Sequence, residues 1–494
     1  MIVIVIVKLI GMSRDIVLAN YFGTSNISDA YLIAVSVPTM LFYFIGHSLS
    51  TAYLPMYNKV KAADGEQYAQ KFSNNILNVS FLLSTLIVAL LIIAPGAVVK
   101  IFATGFDQET NALASRFIRL SSASLYFMSV VSVFTGYLHS NKNFLAPAAI
   151  SVPRNVVIVI SIVLAATLNI DWMGWGLLWA YIFEFLFLLP FVMKYGYRYR
   201  PVLDLKDENL HQTLYIILPI LFGMCVGQIN KIIDRSVAST VIDGGLSALS
   251  YASIINSAVQ GILVTGIITV LFASCVELVA LGKHDAVKAK LSSAINMLLF
   301  LLIPASVGVI ILAEPIVKTI LFRGNFDDNS MILTTGALRC YTAGLVFLAI
   351  RDTLIKVFYA YKNTKTTTII SVFAILINIV LNIVLSGIWG INGLATATSI
   401  SAAFNSVSLY ILLRRKIGDF GLKDTASVVI KSVIGSIAMA AVLIFFTAPV
   451  MEFINNDFIG LLIMAAAGML TYFIVGVLLR VKPMINVISR LTAK

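Results

Sequence analysis

Between Lys8 and Pro38 the chain reads KLIGMSRDIVLANYFGTSNISDAYLIAVSVP. Four charged residues, Lys8, Arg14, Asp15 and Asp29, stand here in otherwise apolar sequence. An ionised side chain at the centre of a bilayer costs a few kcal/mol or more, so such groups face a bundle interior or a wet cavity. A muted copy follows in the second half, IDRSVASTVIDGGLSALSYA from Ile233 to Ala252. There Arg235 and Tyr251 are spaced nearly as Arg14 and Tyr31 are. The pattern implies two related halves around a polar cavity.

The composition agrees. Of 494 residues 59% are hydrophobic and 12% charged, with mean hydropathy +0.96. A soluble chain carries roughly a quarter charged residues. Apolar runs near the ~20 residues that a helical span needs recur from end to end, without the short alternating segments of an outer-membrane barrel. The class is an all-α polytopic membrane protein. The net charge of +12 is not a nucleic-acid signature, because the basic residues cluster in short loops, as the positive-inside rule requires. Cys225, Cys275 and Cys340 lie in or beside apolar spans with no metal-ligand or disulfide-framework spacing. They read as small buried hydrophobes. The start, MIVIVIV, has no basic n-region and no small-residue cleavage site, so it reads as a retained span.

About fourteen transmembrane helices are expected, over 1–21, 29–57, 74–104, 113–140, 147–169, 173–196, 212–241, 246–280, 288–313, 330–361, 366–388, 392–413, 426–450 and 457–480. One set of loops holds Lys59, Lys61, Lys71, Lys142, Arg154, Lys194, Arg198, Arg200, Lys206 and Arg414–Lys416, while the opposite set holds few cations. That places both termini in the cytoplasm. WMGWGLLWAYIFEF (Trp172–Phe185) resembles GINGLATATSISAA (Gly390–Ala403), with Gly176 matching Gly393 and Ala180 matching Ala397 at one offset. Duplication of a six-helix unit follows. Two pseudo-symmetric six-helix lobes are expected, 1–200 and 201–420, with two additional helices and a cytoplasmic tail in 421–494. Parallel repeats of this kind place a transported substrate between them. The polar stretch Tyr195–Gln212 reads as an amphipathic cytoplasmic connector or a solvated loop.

No catalytic motif appears. The four histidines are scattered, and HExxH, GxSxG and Gly-rich phosphate loops are missing, so the chain reads as a non-enzyme with no cofactor. Lys8, Arg14, Arg351 and Lys356 are candidate cations of a cavity that binds an anionic head group such as a diphosphate. Lys8 and Lys356 also fit snorkelling to the interface. Residues i and i+1 do not face each other, so Asp15 is expected to pair with another helix, the alternative for Arg14 and Asp15 being a structural intramembrane ion pair. Asp29 is a candidate cap for the helix starting SDAYLIA. Asn230 and Asp234, Asn378 and Asn382, and Leu394 and Thr398 are i,i+4 pairs sharing helix faces. Asp234, Asn378, Asn382, Leu394 and Thr398 together offer the oxygen ligands of a hard cation such as sodium, or else hydrogen bonds between helices.

SRDIVLANYFG, SDAYLIAVSVP, STAYLPMY, LPILFGMCVGQINKIIDRSVAS, LIPASVGVIILAEPIVKTILFRGNFD and IRDTLIKVFYAYKNTKT, in this order, resemble the MurJ/MviN family of lipid II flippases, within the multidrug/oligosaccharidyl-lipid/polysaccharide exporter superfamily. The resemblance implies a monomeric two-lobed transporter that moves lipid II to the outer leaflet by alternating access, driven by sodium or by membrane potential. Its essential charges fall on Arg14 and Asp15, a further basic position on Lys8, a functional Asp on Asp29, and its sodium site on Asp234, Asn378, Asn382, Leu394 and Thr398. This chain departs from it in having no Arg in Thr39–Ser50 and Ile254 where a second cavity Arg is common. Two alternatives follow: an exporter of another polyprenyl-diphosphate-linked saccharide, or a cation-coupled drug antiporter. The antiporter calls for acidic rather than basic cavity residues.

Overall fold

A computed structural model describes residues 2–454 and 456–485. It leaves out the side chains of 2–9, 44–45, 47–51, 216 and 218–226. The described residues form helices and loops, with no strand among them. By contacts the chain forms two compact units, Met1–Ser247 with Arg323–Phe326, and Ala248–Phe322 with Asp327–Lys494. In the first half run α1 (Ile2–Phe22), α2 (Asn26–Asp64), α3 (Glu66–Ile93), α4 (Pro95–Phe102), α5 (Gln108–Ser121), α6 (Ser124–Ser140), α7 (Leu145–Ala149), α8 (Ser151–Thr167), α9 (Trp172–Lys194) and α10 (Glu208–Val241). In the second run α11 (Gly245–Leu263), α12 (Thr265–Ala280), α13 (His284–Ile311), α14 (Ala313–Leu321), α15 (Asp328–Ala343), α16 (Leu345–Ala360), α17 (Thr364–Trp389), α18 (Ile391–Ile417), α19 (Leu422–Phe453) and α20 (Asp457–Leu478).

Among the described residues nine helices are long and apolar enough to cross a membrane, or eleven if each bent pair is one span. Helices α1, α2 and α10, at 21, 39 and 34 residues, supply the rest of the fourteen segments marked by the sequence. The outer faces of α17 and α19 are apolar: Ile383 is 63% exposed and Phe445 80%, as a lipid-facing surface requires.

The duplication shows inside each unit. The pair α5–α6 bends by 50° and the pair α15–α16 by 45°. Each bent pair follows a short helix, α4 or α14. Asp107 caps α5 by accepting from the Thr110 N–H at 2.8 Å, and Asp327 caps α15 by accepting from Ser330 N–H at 2.8 Å. These hydrogen bonds hold both carboxyls below the usual Asp range. The matched glycines do one job in both halves. A Cβ on Gly176 would lie 2.0 Å from Ser161 of α8, and one on Gly393 2.0 Å from the Leu385 carbonyl of α17. Only glycine permits such close helix approaches.

The contact boundary at Ser247 differs from the repeat boundary near residue 200 because α10 is held to the first half. Thr104 Oγ1 lies 2.9 Å from Ser236 Oγ, and Ser239 Oγ accepts from the Gly105 N–H at 3.0 Å. The core of the first unit is aromatic. Tyr137 and Tyr197 rings meet at 4.9 Å, and Tyr53 stacks on Tyr57 at 5.4 Å, contacts that add to area burial. The connector 195–207 is neither a helix nor a free loop. It is an extended strap held to α3: Asn74, Asn75 and Asn78 Nδ2 donate to the carbonyls of Arg198, Asp204 and Val202 at 3.0, 2.8 and 2.7 Å. Tyr197 and Tyr199 hydroxyls donate back to Asn74 and Asn78 at 2.8 Å. Amide side chains suit this task because each offers a donor and an acceptor. In the second unit Tyr472 donates to the Phe300 carbonyl at 2.8 Å within a core of α13, α19 and α20 side chains.

Candidate functional site

Arg14 pairs with its own neighbour, which overturns the expectation of a partner on another helix. Nη2 lies 2.8 Å from Asp15 Oδ1 and 3.1 Å from Oδ2, and Nε lies 3.1 Å from Oδ1. Successive Cβ directions diverge by about 100° on a helix. The arginine side chain is long enough to curl round the circumference, and a bidentate pair is the strong form of the contact. The carboxylate is the deeper member: the Asp15 side chain is 6% exposed and that of Arg14 25%.

A second intramembrane pair was not legible as one. Arg154 reads as a loop cation by sequence. In α8 its Nη1 instead lies 3.1 Å from Glu184 Oε1 of α9, and its guanidinium sits 5.9 Å from the Tyr181 ring centre. Here too the acid is the deeper partner, 2% exposed against 33%. The available signal was Glu184 itself, the one acid in the apolar run of α9. Both guanidiniums line one cavity of about 140 Å³ inside the first unit. Its other walls include Thr39 of α2, Ser121 and Ser124 at the α5–α6 break, and Tyr181. Neither Asp15 nor Glu184 is part of its lining. Tyr31 is buried nearby with no hydrogen-bond partner on its hydroxyl.

Asp29 does not cap its own helix. Ser25 does, accepting from the Ser28 N–H at 3.4 Å. Asp29, 1% exposed, accepts from the Ser247 N–H at 2.7 Å, in the first turn of α11. A carboxylate there satisfies an orphan donor and favours the helix dipole. Arg235 donates to the Leu32 carbonyl at 3.3 Å, which ties α10 to α2.

The remaining candidates are distributed. Arg351 pairs with adjacent Asp352 at 2.7 Å, repeating the Arg14–Asp15 device, and Gln260 donates to the same carboxylate at 3.2 Å. Lys356 lies 5.4 Å from the Phe272 ring centre and 5.9 Å from that of Tyr359, a cation–π environment. The Lys8 side chain lies outside the described residues. Asn230 donates to Asp234 at 3.0 Å in α10, within the first unit. In the second unit Asn382 donates to Asn378 at 3.1 Å, and the Thr398 hydroxyl donates to the Leu394 carbonyl at 3.1 Å. These are neutral oxygens on consecutive helices. Among the described residues no three His, Cys, Asp or Glu side chains gather to hold a metal.

A bundle of duplicated, partly broken apolar helices with ion pairs inside is the architecture of a membrane transporter. The chain belongs to the MurJ family: the family model for lipid II flippase MurJ matches residues 18–480. A probable lipid II flippase MurJ of Thermotoga maritima is 27% identical over 98% of this chain and 96% of its own length. A solved structure of lipid II flippase MurJ in an inward closed conformation matches with TM-score 0.84 and 28% identity over 97% of this chain and 98% of that one. An inward-facing multidrug resistance MATE family transporter of the MOP superfamily matches with TM-score 0.71 at 14% identity, over 84% of this chain and 95% of that one. That likeness shows the shared fold alone.

Proposed function

We propose that this chain flips lipid II, the lipid-linked peptidoglycan precursor, from the cytoplasmic to the outer leaflet of the plasma membrane by alternating access. Family membership over nearly the whole chain supports this reading. The observation that carries it is the cavity of the first unit, which presents the Arg14 and Arg154 guanidiniums and no carboxylate. A diphosphate needs such donors, and the wall offers an organic cation no carboxylate, which disfavours a drug antiporter. The loop charges put both termini in the cytoplasm. With both lobes on one chain, the protein works as a monomer, and flipping makes and breaks no covalent bond.

Arg14 and Asp15, with Lys8, Asp29, Arg351 and Lys356, are the residues proposed to serve the substrate. Asp234, Asn378, Asn382, Leu394 and Thr398 would hold sodium, which would supply the gradient that resets the transporter. The test is complementation. The resident lipid II flippase is depleted in a bacterium, this chain is expressed, and growth and outer-leaflet lipid II are measured. Rescue that disappears with Arg14→Ala, at unchanged membrane levels, is expected. Failure by the inserted wild-type chain would turn the reading to another polyprenyl-diphosphate-linked saccharide. Asp234→Ala should abolish any sodium dependence of flipping, and an unchanged sodium response would remove the cation assignment.

A further inference from the structure

We infer that two equivalent turns form a reciprocal clasp, each seated on the first helix of the opposite repeat, and that the two seats open and close as one. The turns are Thr104–Gly105, between α4 and α5, and Gly324–Asn325, between α14 and α15. Each follows a short helix and precedes the aspartate that caps the next one. The turn of the first repeat sits on α10. Thr104 Oγ1 lies 2.9 Å from Ser236 Oγ, and the Gly105 N–H donates to Ser239 Oγ at 3.0 Å. The turn of the second repeat sits on α1. There the Asn325 N–H donates to the Asn20 carbonyl at 2.8 Å, and Asn325 Nδ2 donates to the Tyr21 carbonyl. The seats are therefore crossed, and all of these residues belong to the first compact unit.

Two features mark a closure rather than ordinary packing. The first is fit. A Cβ on Gly105 would collide with the Ser239 carbonyl, and one on Gly324 with the Asn20 carbonyl. Gly23 and Gly244, just past the ends of α1 and α10, are equally confined, Gly23 by the Asn325 carbonyl and Gly244 by that of Thr24. Backbone meets backbone at every seat, so one added methyl group props it open. The second is reversibility. Asn20 and Tyr21 carry two of the last four carbonyls of α1, which have no partner within the helix. Facing water, they exchange Asn325 for solvent at small net cost. Contacts between two related repeats come in matched pairs, and closely packed contacts switch between discrete arrangements instead of yielding gradually. Movement of one repeat against the other thus breaks both seats together. The loop charges put these turns on the outer side, where an alternating-access cycle must release them. That gating role rests on the proposed transport, whereas the coupling of the two seats does not.

The experiment uses the full chain in bacterial membranes with Cys225→Ala, Cys275→Ala and Cys340→Ser, and with Thr104→Cys and Ser236→Cys across the α10 seat. The rate of disulfide formation with copper phenanthroline is read on gels. Ready cross-linking is expected. Gly324→Ala alters only the α1 seat, yet should slow cross-linking at the α10 seat at least threefold. Gly65→Ala, at a positive-φ glycine with open space around it, should leave the rate unchanged. If Gly324→Ala does not insert, Asn325→Ala, which loses only the side-chain donor, should give a smaller slowing in the same direction. No cross-link in the parent chain, or an unchanged rate in an inserted α1-seat variant, overturns the clasp. Complementation then tests the gating role: the double-cysteine chain should rescue growth with a reductant in the medium and not without it. Rescue by the cross-linked chain overturns that role. Coupled seats in a chain whose parent never rescues would keep the clasp and remove the transport reading instead.

Discussion

Arg14 and Asp15 are neighbours in sequence and partners in space, with Nη2 and Oδ1 2.8 Å apart inside the first unit. Removing one member leaves a buried charge uncompensated, at a cost of about 3–5 kcal/mol for a fully buried pair. Arg14 retains 25% side-chain exposure, so the lower end applies. Asp15→Ala should therefore lower the melting temperature in detergent by several degrees. Arg14→Ala with Asp15→Ala should lower it less than Asp15→Ala does. A double variant as unstable as the sum of the singles would mean that the two do not interact.

Asp29 joins distant parts of the chain by accepting from the Ser247 N–H at 2.7 Å. Asp29→Asn keeps an acceptor and should cost little stability. Asp29→Ala leaves a buried N–H orphaned, at about 1–3 kcal/mol. Thermal unfolding of the two variants separates the cap from the charge. If flipping fails in Asp29→Asn while stability holds, the negative charge itself serves transport.

Much of this was legible from sequence, and the parts that were not share a cause. Helix positions follow from apolar runs, which depend only on local composition. The repeat followed from Gly176 and Gly393, because close helix approaches admit only glycine. A second signature lay unread in GFD at Gly105–Asp107 and NFD at Asn325–Asp327, where equivalent aspartates cap equivalent helices. Partners were the weak point. Arg14, Asp29 and Arg154 were visible as charges, but which atoms they reach depends on side-chain length and on helices far away in sequence. The rule that i and i+1 diverge describes Cβ directions, not the end of an arginine.

Gly324 and Gly65 both have positive φ, +60° and +84°, yet differ in their surroundings. A Cβ on Gly324 would lie 2.2 Å from the Asn20 carbonyl, where Asn325 N–H also donates at 2.8 Å. A Cβ on Gly65 meets nothing within 4 Å. Gly65 has ψ 177°, an extended positive-φ conformation that is essentially glycine-only, so Gly65→Ala should cost only backbone strain of about 1–3 kcal/mol. Gly324→Ala must also displace backbone, so its melting temperature should fall clearly further. Equal losses would show that the 323–326 segment is not seated against α1 in solution.

The strap on α3 makes a prediction about both packing and topology. Asn74 and Asn78 each donate to a strap carbonyl and accept from a strap tyrosine. A typical hydrogen bond contributes about 1 kcal/mol net, so Asn74→Ala with Asn78→Ala should release the segment without unfolding the bundle. Trypsin can cut after Arg198, whereas Pro201 blocks cleavage after Arg200. Cleavage at Arg198 in inside-out vesicles should be slow in the native chain and several-fold faster in the double variant. In right-side-out vesicles neither chain should be cut there, because the loop charges predict a cytoplasmic strap. Equal rates in native and variant chains would show that the asparagines do not restrain the strap, and cutting from the outer side would invert the assigned topology.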